Sequence, residues 1–533
     1  MTLAPRFLVN LWAAFRVTRL VRRLRRPGAD VAAQHAAFTS LMAASAATEF
    51  GRSHGLTAQS SYARFREAVP LRPADFFAPF IQRMVAGEPD VLVPGRCRLF
   101  VETAGTTGAA PRRLPVPDAM LRHYRGALRD ALLLYAARAG HAGVFLGRHA
   151  QLGPSTALAS RDDVRIGGLD AMFAHVLTPW VTANLYALPR EIAALADGPA
   201  KTSAAFAALA STDLALIGGV PHALDGFAEA VRGRDEEGRP VIPHLTSVWP
   251  NLECCLHHGA PLGLFAETVH AAFTGVTFHE LYAAAEGVIA AQDDHHPSGL
   301  RLLADAGLFF EFVPLSDYHE GKLAQLGPEC VPLEKVKAGI DYVPFLTTPA
   351  GLCRCALGDI VRFVSVTPPR LQFVGRTGIY LNLFGEQVTE REVVDTMHAV
   401  CARNGWQVVN FHVAPFQHRI AAGQEVRCHE WWLELHTHTV RTPTANVLGP
   451  ELDAELATRN RDYALRRNDR TIHSPQVRLV MPGIFDQWAE QHRKAASASK
   501  LPRCLSTRQI ADQLAAIARF HPDTNAPFPA GER

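Results

Sequence analysis

The sequence predicts an α/β protein in two parts, a large N-terminal α/β domain over residues 1–377 and a smaller C-terminal α/β domain over 378–533. Three observations predict it. Short apolar runs that read as strands alternate with helical periodicities along most of the chain before Thr377. A glycine- and threonine-rich loop from Thr103 to Gly108 follows the strand-like run Leu99 to Val101. Near Thr377 the pattern shifts, and two strands, a helix, a strand and a helix follow, the order of a ferredoxin-like or split βαβ module.

Taken in order, Phe7 to Phe15 is apolar but too short to span a bilayer, and Arg16 to Arg26 continues it in a helical pattern that stops at Pro27-Gly28. Simple packing of this basic helix on the domain is the favoured reading, and binding to a membrane surface the less favoured one. No small-residue cleavage site follows the apolar run, so it does not read as a secretory signal. Helical periodicity covers Asp30 to Glu67 with breaks at Gly51 and Gly55, then Phe76 to Val85, one long helix from Asp118 to Leu146, and one or two more from Arg190 to Leu216. Ser247 to Glu253 and Gly275 to Phe278 read as strand entries, and Leu308 to Val313 and Tyr342 to Thr348 as strands. Beyond the boundary, a helix over Glu392–Arg403, strands at Trp406–Val413 and Glu425–His436, a helix over Pro450–Arg467, a strand at Val477–Met481 and helices at Gly483–Ala495 and Gln509–Phe520 are expected. There are no internal repeats.

Composition bounds the class. The chain has 533 residues, 48% hydrophobic and 20% charged, enough for a large core and more than one domain. Net charge is +3, but the first 26 residues hold seven arginines and no acid, which leaves the remainder formally at −4. That balance argues against nucleic acid as a partner. Nine cysteines without a Cys-x-x-Cys pattern favour reduced thiols in the cytoplasm, and the adjacent Cys254 and Cys255 read as core.

Two kinds of residue point to chemistry. In the loop, Gly105 and Gly108 let backbone approach an anion, Thr103, Thr106 and Thr107 offer hydroxyl donors, and Arg112 and Arg113 add charge. The result is a plausible phosphate cradle, equally readable as a turn, and without the Gly-Lys-Ser/Thr ending of a Walker loop. Gly358-Asp359 can be a hairpin turn, or can place a carboxylate to accept hydrogen bonds from a ribose diol. Glu286, after three alanines, would by itself be a solvated helix position. Asp293-Asp294-His295-His296 and the pair His436 and His438 have metal-ligand chemistry but no complete ligand spacing.

The ordered set of pieces resembles the acyl-adenylate-forming superfamily, and within it the Gretchen Hagen family of acyl acid amido synthetases, first known from auxin-responsive plant genes and present in bacteria. The resemblance rests on Thr48-Glu49-Phe50-Gly51-Arg52, Phe65-Arg66 with Val69-Pro70, the Thr-Ala-Gly-Thr-Thr-Gly loop, Trp249-Pro250-Asn251, Tyr282 to Gly287 and Phe309-Phe310-Glu311-Phe312. It continues through Thr347-Thr348 with Gly351-Leu352, Gly358-Asp359, Phe373-Val374-Gly375-Arg376 and Lys500 with Pro502-Arg503-Cys504. It implies an ATP- and Mg²⁺-dependent ligase that adenylates a carboxylic acid and passes the acyl group to an amino acid or other amine. In this reading Thr103, Gly105, Thr106, Thr107 and Gly108 hold phosphate, Tyr282 lies beside adenine, and Glu286 holds the metal. Asp359 and Arg376 take the ribose, and Lys500 in a mobile C-terminal domain closes on the reacting groups. Gln387, Cys355 and Ala285 depart from the lysine, tyrosine and hydroxyl residue of many relatives. The alternatives are a coenzyme A ligase with the same adenylate chemistry, and a catalytically impaired protein that binds nucleotide or acid. The acid, the amine and the oligomeric state are not specified by the sequence; helices from Asp118 onward and residues near Trp180 and Tyr186 are expected to line the acid pocket.

Overall fold

The computed structural model describes residues 5–103, 112–161, 163–237, 239–259, 262, 265–294, 299–318, 320–327, 329–382, 384–386, 388–419, 425–435, 443–492 and 501–520. The chain divides into two compact units, one built from 1–104 and 110–373, the other containing 374–533.

The first unit is organised around a long mixed sheet. Its parallel half, Arg148–Leu152, Leu214–Gly219, Cys254–His258 and Thr277–Ala284, is paired in that order. Its antiparallel half continues through Gly287–Ala291 and Leu300–Leu302 to Pro369–Arg376, and Phe309–Pro314 lies against Asp341–Thr347. Strands Leu214–Gly219 and Cys254–His258 are buried at every position, as expected of parallel strands covered on both faces. A second sheet joins Arg113–Pro115, Leu99–Glu102, Val164–Gly167 and Ala159–Arg161.

Several expected elements shift, each for a visible reason. The helix from Asp118 ends at Ala139 rather than Leu146, because Gly140 takes the left-handed conformation (φ +77°) that closes a helix. Of the one or two helices expected over Arg190 to Leu216 there are two, and they end at Leu209 rather than Leu216. Helices Arg190–Ala193 and Pro199–Leu209 are separated by residues 194–198, with Pro199 at a first helical position, and Leu214 already belongs to a strand. Ser247 to Glu253 is a turn rather than a strand entry. There Trp249 is buried, stacks on Phe227 and donates its indole N–H to the Leu209 carbonyl at 2.9 Å, and the strand begins at Cys254. Both Cys254 and Cys255 are core, with burial pushing their thiols up.

In the second unit, helix Glu390–Asn404 opens with a capping box between Thr389 and Glu392. Val408–Arg419 pairs antiparallel with Glu425–Leu435, which pairs parallel with Gln476–Val480. The helix expected over Pro450–Arg467 is two, Ala445–Arg459 and Arg461–Asn468. Asn460 divides them, and its side chain accepts from the Tyr463 N–H at 2.7 Å. Helices Ile484–His492 and Gln509–Ile517 pack Trp488, Ile510 and Leu514 against Trp432 and Val480.

Candidate active site

The strand pair Leu99–Glu102 and Arg113–Pro115 forms a stem in which Glu102 faces Arg113. Its mouth is tied by two bonds, Thr103 N–H to the Arg112 carbonyl at 2.8 Å and Arg112 N–H to Thr103 Oγ1 at 3.2 Å. Gly105, Thr106, Thr107 and Gly108 lie outside the described residues. The Arg112 guanidinium stands 4.0 Å from Glu286 and 3.9 Å from Asp75.

Glu286 is not on a helix. Strands Thr277–Ala284 and Gly287–Ala291 run antiparallel, and Ala285-Glu286 is the tight turn between them. The residue is buried, with 5% of its surface exposed. Gly287 has φ +153°, and a Cβ there would lie 2.7 Å from Leu308 Cδ1 and 3.0 Å from His123 Nε2, so the turn requires glycine to approach this close.

Tyr282 projects from the preceding strand and donates its hydroxyl to Asp359 Oδ2 at 2.5 Å. Asp359 is buried and opens the strand Asp359–Val366 directly after Gly358, whose φ of +81° makes the turn. The Phe373 ring meets Tyr282 edge-on, 6.1 Å between centroids. The structure therefore brings together four residues that the sequence singled out separately, Tyr282 with Asp359 and Arg112 with Glu286. Arg376 closes the strand Pro369–Arg376 and belongs to the second unit, while Lys500 and Gln387 lie outside the described residues.

The weaker metal candidates resolve in part. Asp293 accepts two bonds from Arg370 at 2.9 Å, an ion pair; His295, His296, His436 and His438 lie outside the described residues. Among the described residues no three His, Cys, Asp or Glu side chains cluster as metal ligands. Trp180 is exposed on the short helix Pro179–Asn184, and Tyr186 is half-buried beside the strand Arg148–Leu152.

Two residues that sequence reasoning missed set the Glu286 turn. Tyr124 donates its hydroxyl to the Ala285 carbonyl at 2.7 Å. His123 Nε2 accepts the Val288 N–H at 2.9 Å, and its Nδ1 contacts the Ala306 carbonyl at 2.8 Å, which assigns the proton to Nδ1. Burial lowers His123 to about 4, keeping it neutral, and raises the Tyr124 phenol, with the Glu286 charge adding to the rise. Their adjacency in the helix Asp118–Ala139 was the only signal. A third constellation lies in the Phe-Phe-Glu-Phe run. Glu311 accepts from Arg354 Nε at 3.0 Å and from the Tyr62 hydroxyl at 2.9 Å, while Arg354 also donates to the Val69 carbonyl at 2.8 Å. Glu311 and Arg354 are both buried, so this motif ties strands together.

Comparison with known proteins supplies the lineage. Residues 28–213 match the GH3 family N-terminal domain, 301–376 the central domain and 391–509 the C-terminal domain. An indole-3-acetic acid-amido synthetase of Oryza sativa subsp. indica, GH3.8, is 26% identical over 217 residues, 39% of this chain and 35% of that protein. GH3.4 of Arabidopsis thaliana, of the same description, is 24% identical over 229 residues, 40% of this chain and 37% of that protein. The chain thus spans little more than a third of the length of these curated relatives. In fold the agreement is wider: the solved acyl acid amido synthetase AtGH3.15 in complex with 2,4-DB superposes with a TM-score of 0.73 at 16% identity, covering 94% of this chain and 96% of that one. A second GH3.15 structure gives 0.70 at 17% identity, with the same coverage. With all three domains matched in order along one chain, this protein belongs to the GH3 family.

Proposed function

We propose that this protein is an ATP-dependent amido synthetase that activates a carboxylic acid as its adenylate and transfers the acyl group to an amino acid or other amine. The observation that carries the reading is the buried Asp359 carboxylate, held by Tyr282 beside the end of the strand that leads to Glu286. A carboxylate in that position suits a ribose diol, because a charged acceptor takes two hydroxyl donors well. Family membership supports the same division of roles.

The chemistry needs little beyond such a site. Attack of the acid on the α-phosphate exchanges a poor leaving group for AMP and expels pyrophosphate, so negative charge must be met by fixed donors. Thr103 and the loop after it, Arg112 and Arg113 are the proposed phosphate partners, with Gly105, Thr106, Thr107 and Gly108 carrying the backbone contacts. Glu286 suits Mg²⁺: the ion is commonly held by one or two carboxylates together with substrate phosphates and waters, so a single buried carboxylate is a sufficient protein ligand. Bound there with the nucleotide, the metal would neutralise triphosphate charge. Arg112 balances Glu286 at 4.0 Å, and Tyr282 orients Asp359. Arg376 is the proposed second ribose contact, and Lys500, in a mobile domain beginning after residue 377, the cation that meets the reacting groups. The buried free cysteines support a reducing compartment, the cytoplasm, as its location.

Pyrophosphate release from the purified protein with ATP, Mg²⁺ and a panel of carboxylic acids, with and without mixed amino acids, tests the reading. Acid-dependent release with an amide product is expected. A thioester formed when coenzyme A is supplied, or nucleotide binding without release, overturns it. In single turnovers Lys500→Ala is expected to slow adenylation or amine transfer more than nucleotide binding, and unchanged rates of both half-reactions would remove Lys500 from its role.

A further inference from the structure

The helix Arg6–Leu24 packs on the first unit by one face, with Trp12 at its margin meeting Phe145 edge-on, 5.4 Å between ring centroids. Ala13 and Leu20 are buried and Val9, Val17 and Leu24 lie against the core. Arg23 pins this contact through Asp130 at 2.9 Å and Asp305 at 2.8 Å. Apart from that contact of Trp12, the opposite face is exposed and apolar. Phe7, Leu8, Leu11, Trp12 and Phe15 are exposed, from 45% at Trp12 to 68% at Phe7. At about 100° per residue these five fall within an arc of roughly 140°, opposite the packed residues.

The same arc turns basic one turn further on. Arg19 and Arg22 lie on it, Arg25 and Arg26 follow at the helix end, and all four are exposed. No carboxylate among the described residues pairs with any of them, in contrast to Arg23. The matched family domains begin at residue 28, so this helix lies outside them. From these observations we propose that the exposed face of Arg6–Leu24 docks the protein on an anionic lipid surface, aromatic and leucine side chains entering the headgroup boundary and arginines meeting lipid phosphates.

Charge selects this occupant over a second copy of the chain. The helix carries no acidic residue, so pairing it with itself sets arginines against arginines or against apolar side chains. An anionic bilayer satisfies both halves at once. No helix among the described residues is long and apolar enough to cross a membrane, so the attachment is interfacial.

Co-sedimentation of the full chain with phosphatidylcholine vesicles, and with vesicles in which about a quarter of the lipid is phosphatidylglycerol, tests the proposal. Binding only to the anionic vesicles, weakened by salt, is expected. Arg19→Gln with Arg22→Gln should lower the partition coefficient about 30-fold, near fivefold per arginine. Leu11→Ser with Phe15→Ser should lower it at least about tenfold. Both pairs are exposed, and unchanged circular dichroism and thermal unfolding verify that the variants fold. No binding to either vesicle, equal binding to both, or a concentration-dependent dimer abolished by Leu11→Ser with Phe15→Ser would each overturn it.

Discussion

Asp359→Asn isolates the proposed nucleotide contact. The carboxylate is buried and accepts the Tyr282 hydroxyl at 2.5 Å, and a carboxylate offers about four lone-pair directions. Asparagine keeps the shape and one carbonyl oxygen, but it replaces the other oxygen by a donor facing either the phenol or the ribose. One charge-assisted bond to the nucleotide is then lost, about 1.5–3 kcal/mol, or roughly a 10- to 150-fold rise in the KM for ATP. The assay is pyrophosphate release with ATP and with 2′-deoxy-ATP and 3′-deoxy-ATP, for the native protein and the variant. If Asp359 reads the diol, the native protein penalises a deoxy substrate and the variant does not, and the coupling energy between the two changes is of the same size as the loss. Tyr282→Phe should cost less, since its bond orients the carboxylate rather than touching ribose. Equal discrimination against the deoxy nucleotides by native protein and Asp359→Asn would refute the diol reading, whatever the change in KM.

Three further outcomes follow from the geometry. Glu286→Gln removes the buried carboxylate beside Arg112 and should reduce pyrophosphate release by about 100-fold or more while raising the Mg²⁺ concentration for half-maximal rate; an unchanged Mg²⁺ titration would dismiss the metal assignment. Arg354→Met strands Glu311 in the core and should cost about 3–5 kcal/mol in denaturant unfolding, with Glu311→Leu added to it restoring part of the loss; a variant as stable as the native chain contradicts the pairing. Burial lowers His123 and His412 to about 4 and His257 and His279 to about 3, so below their ordinary value near 6.5 the unfolded chain takes up protons that the native one refuses. Stability should therefore be level above about pH 6.5 and fall as pH drops toward 4, by up to about 3 kcal/mol per histidine, and a denaturant midpoint flat over that range would disprove it.

Much of this was legible in the sequence because local chemistry and global position coincide. Gly358-Asp359 closes a turn before a strand, with the carboxylate buried at the strand's first position, and the helix expected over Glu392–Arg403 is present as Glu390–Asn404. The misreadings have a common cause. Leu214 to Gly219 holds one β-branched residue, Ile217, and ends in two glycines, and its burial on both faces makes it a strand. Trp249-Pro250-Asn251 has strand-like neighbours, yet the indole's bond to Leu209, distant in sequence, holds it as a turn. Glu286 follows three alanines, a helical cue, and sits in a turn because the strands on either side pair. In each case tertiary or cross-strand contacts override a local propensity, and one chain without relatives beside it does not show them.

The support of the Glu286 turn bears on the departures from the family pattern. The turn is gripped by its backbone: Tyr124 bonds the Ala285 carbonyl and His123 the Val288 N–H, neither of which depends on the side chain at 285. Ala285 therefore forgoes a hydroxyl donor without loosening the carboxylate next to it. Cys355 is likewise buried, its thiol pushed up by burial and further by the Glu286 charge, so it stays neutral and adds no competing anion beside Glu286. Two of the three departures thus remove individual donors while leaving intact the placement of Glu286 and the Tyr282–Asp359 bond. A turn whose main chain is held by two side chains of one helix tolerates such losses better than one held through the side chains of the turn itself. Tyr124→Phe should accordingly impair the reaction more than restoring a serine at Ala285 improves it.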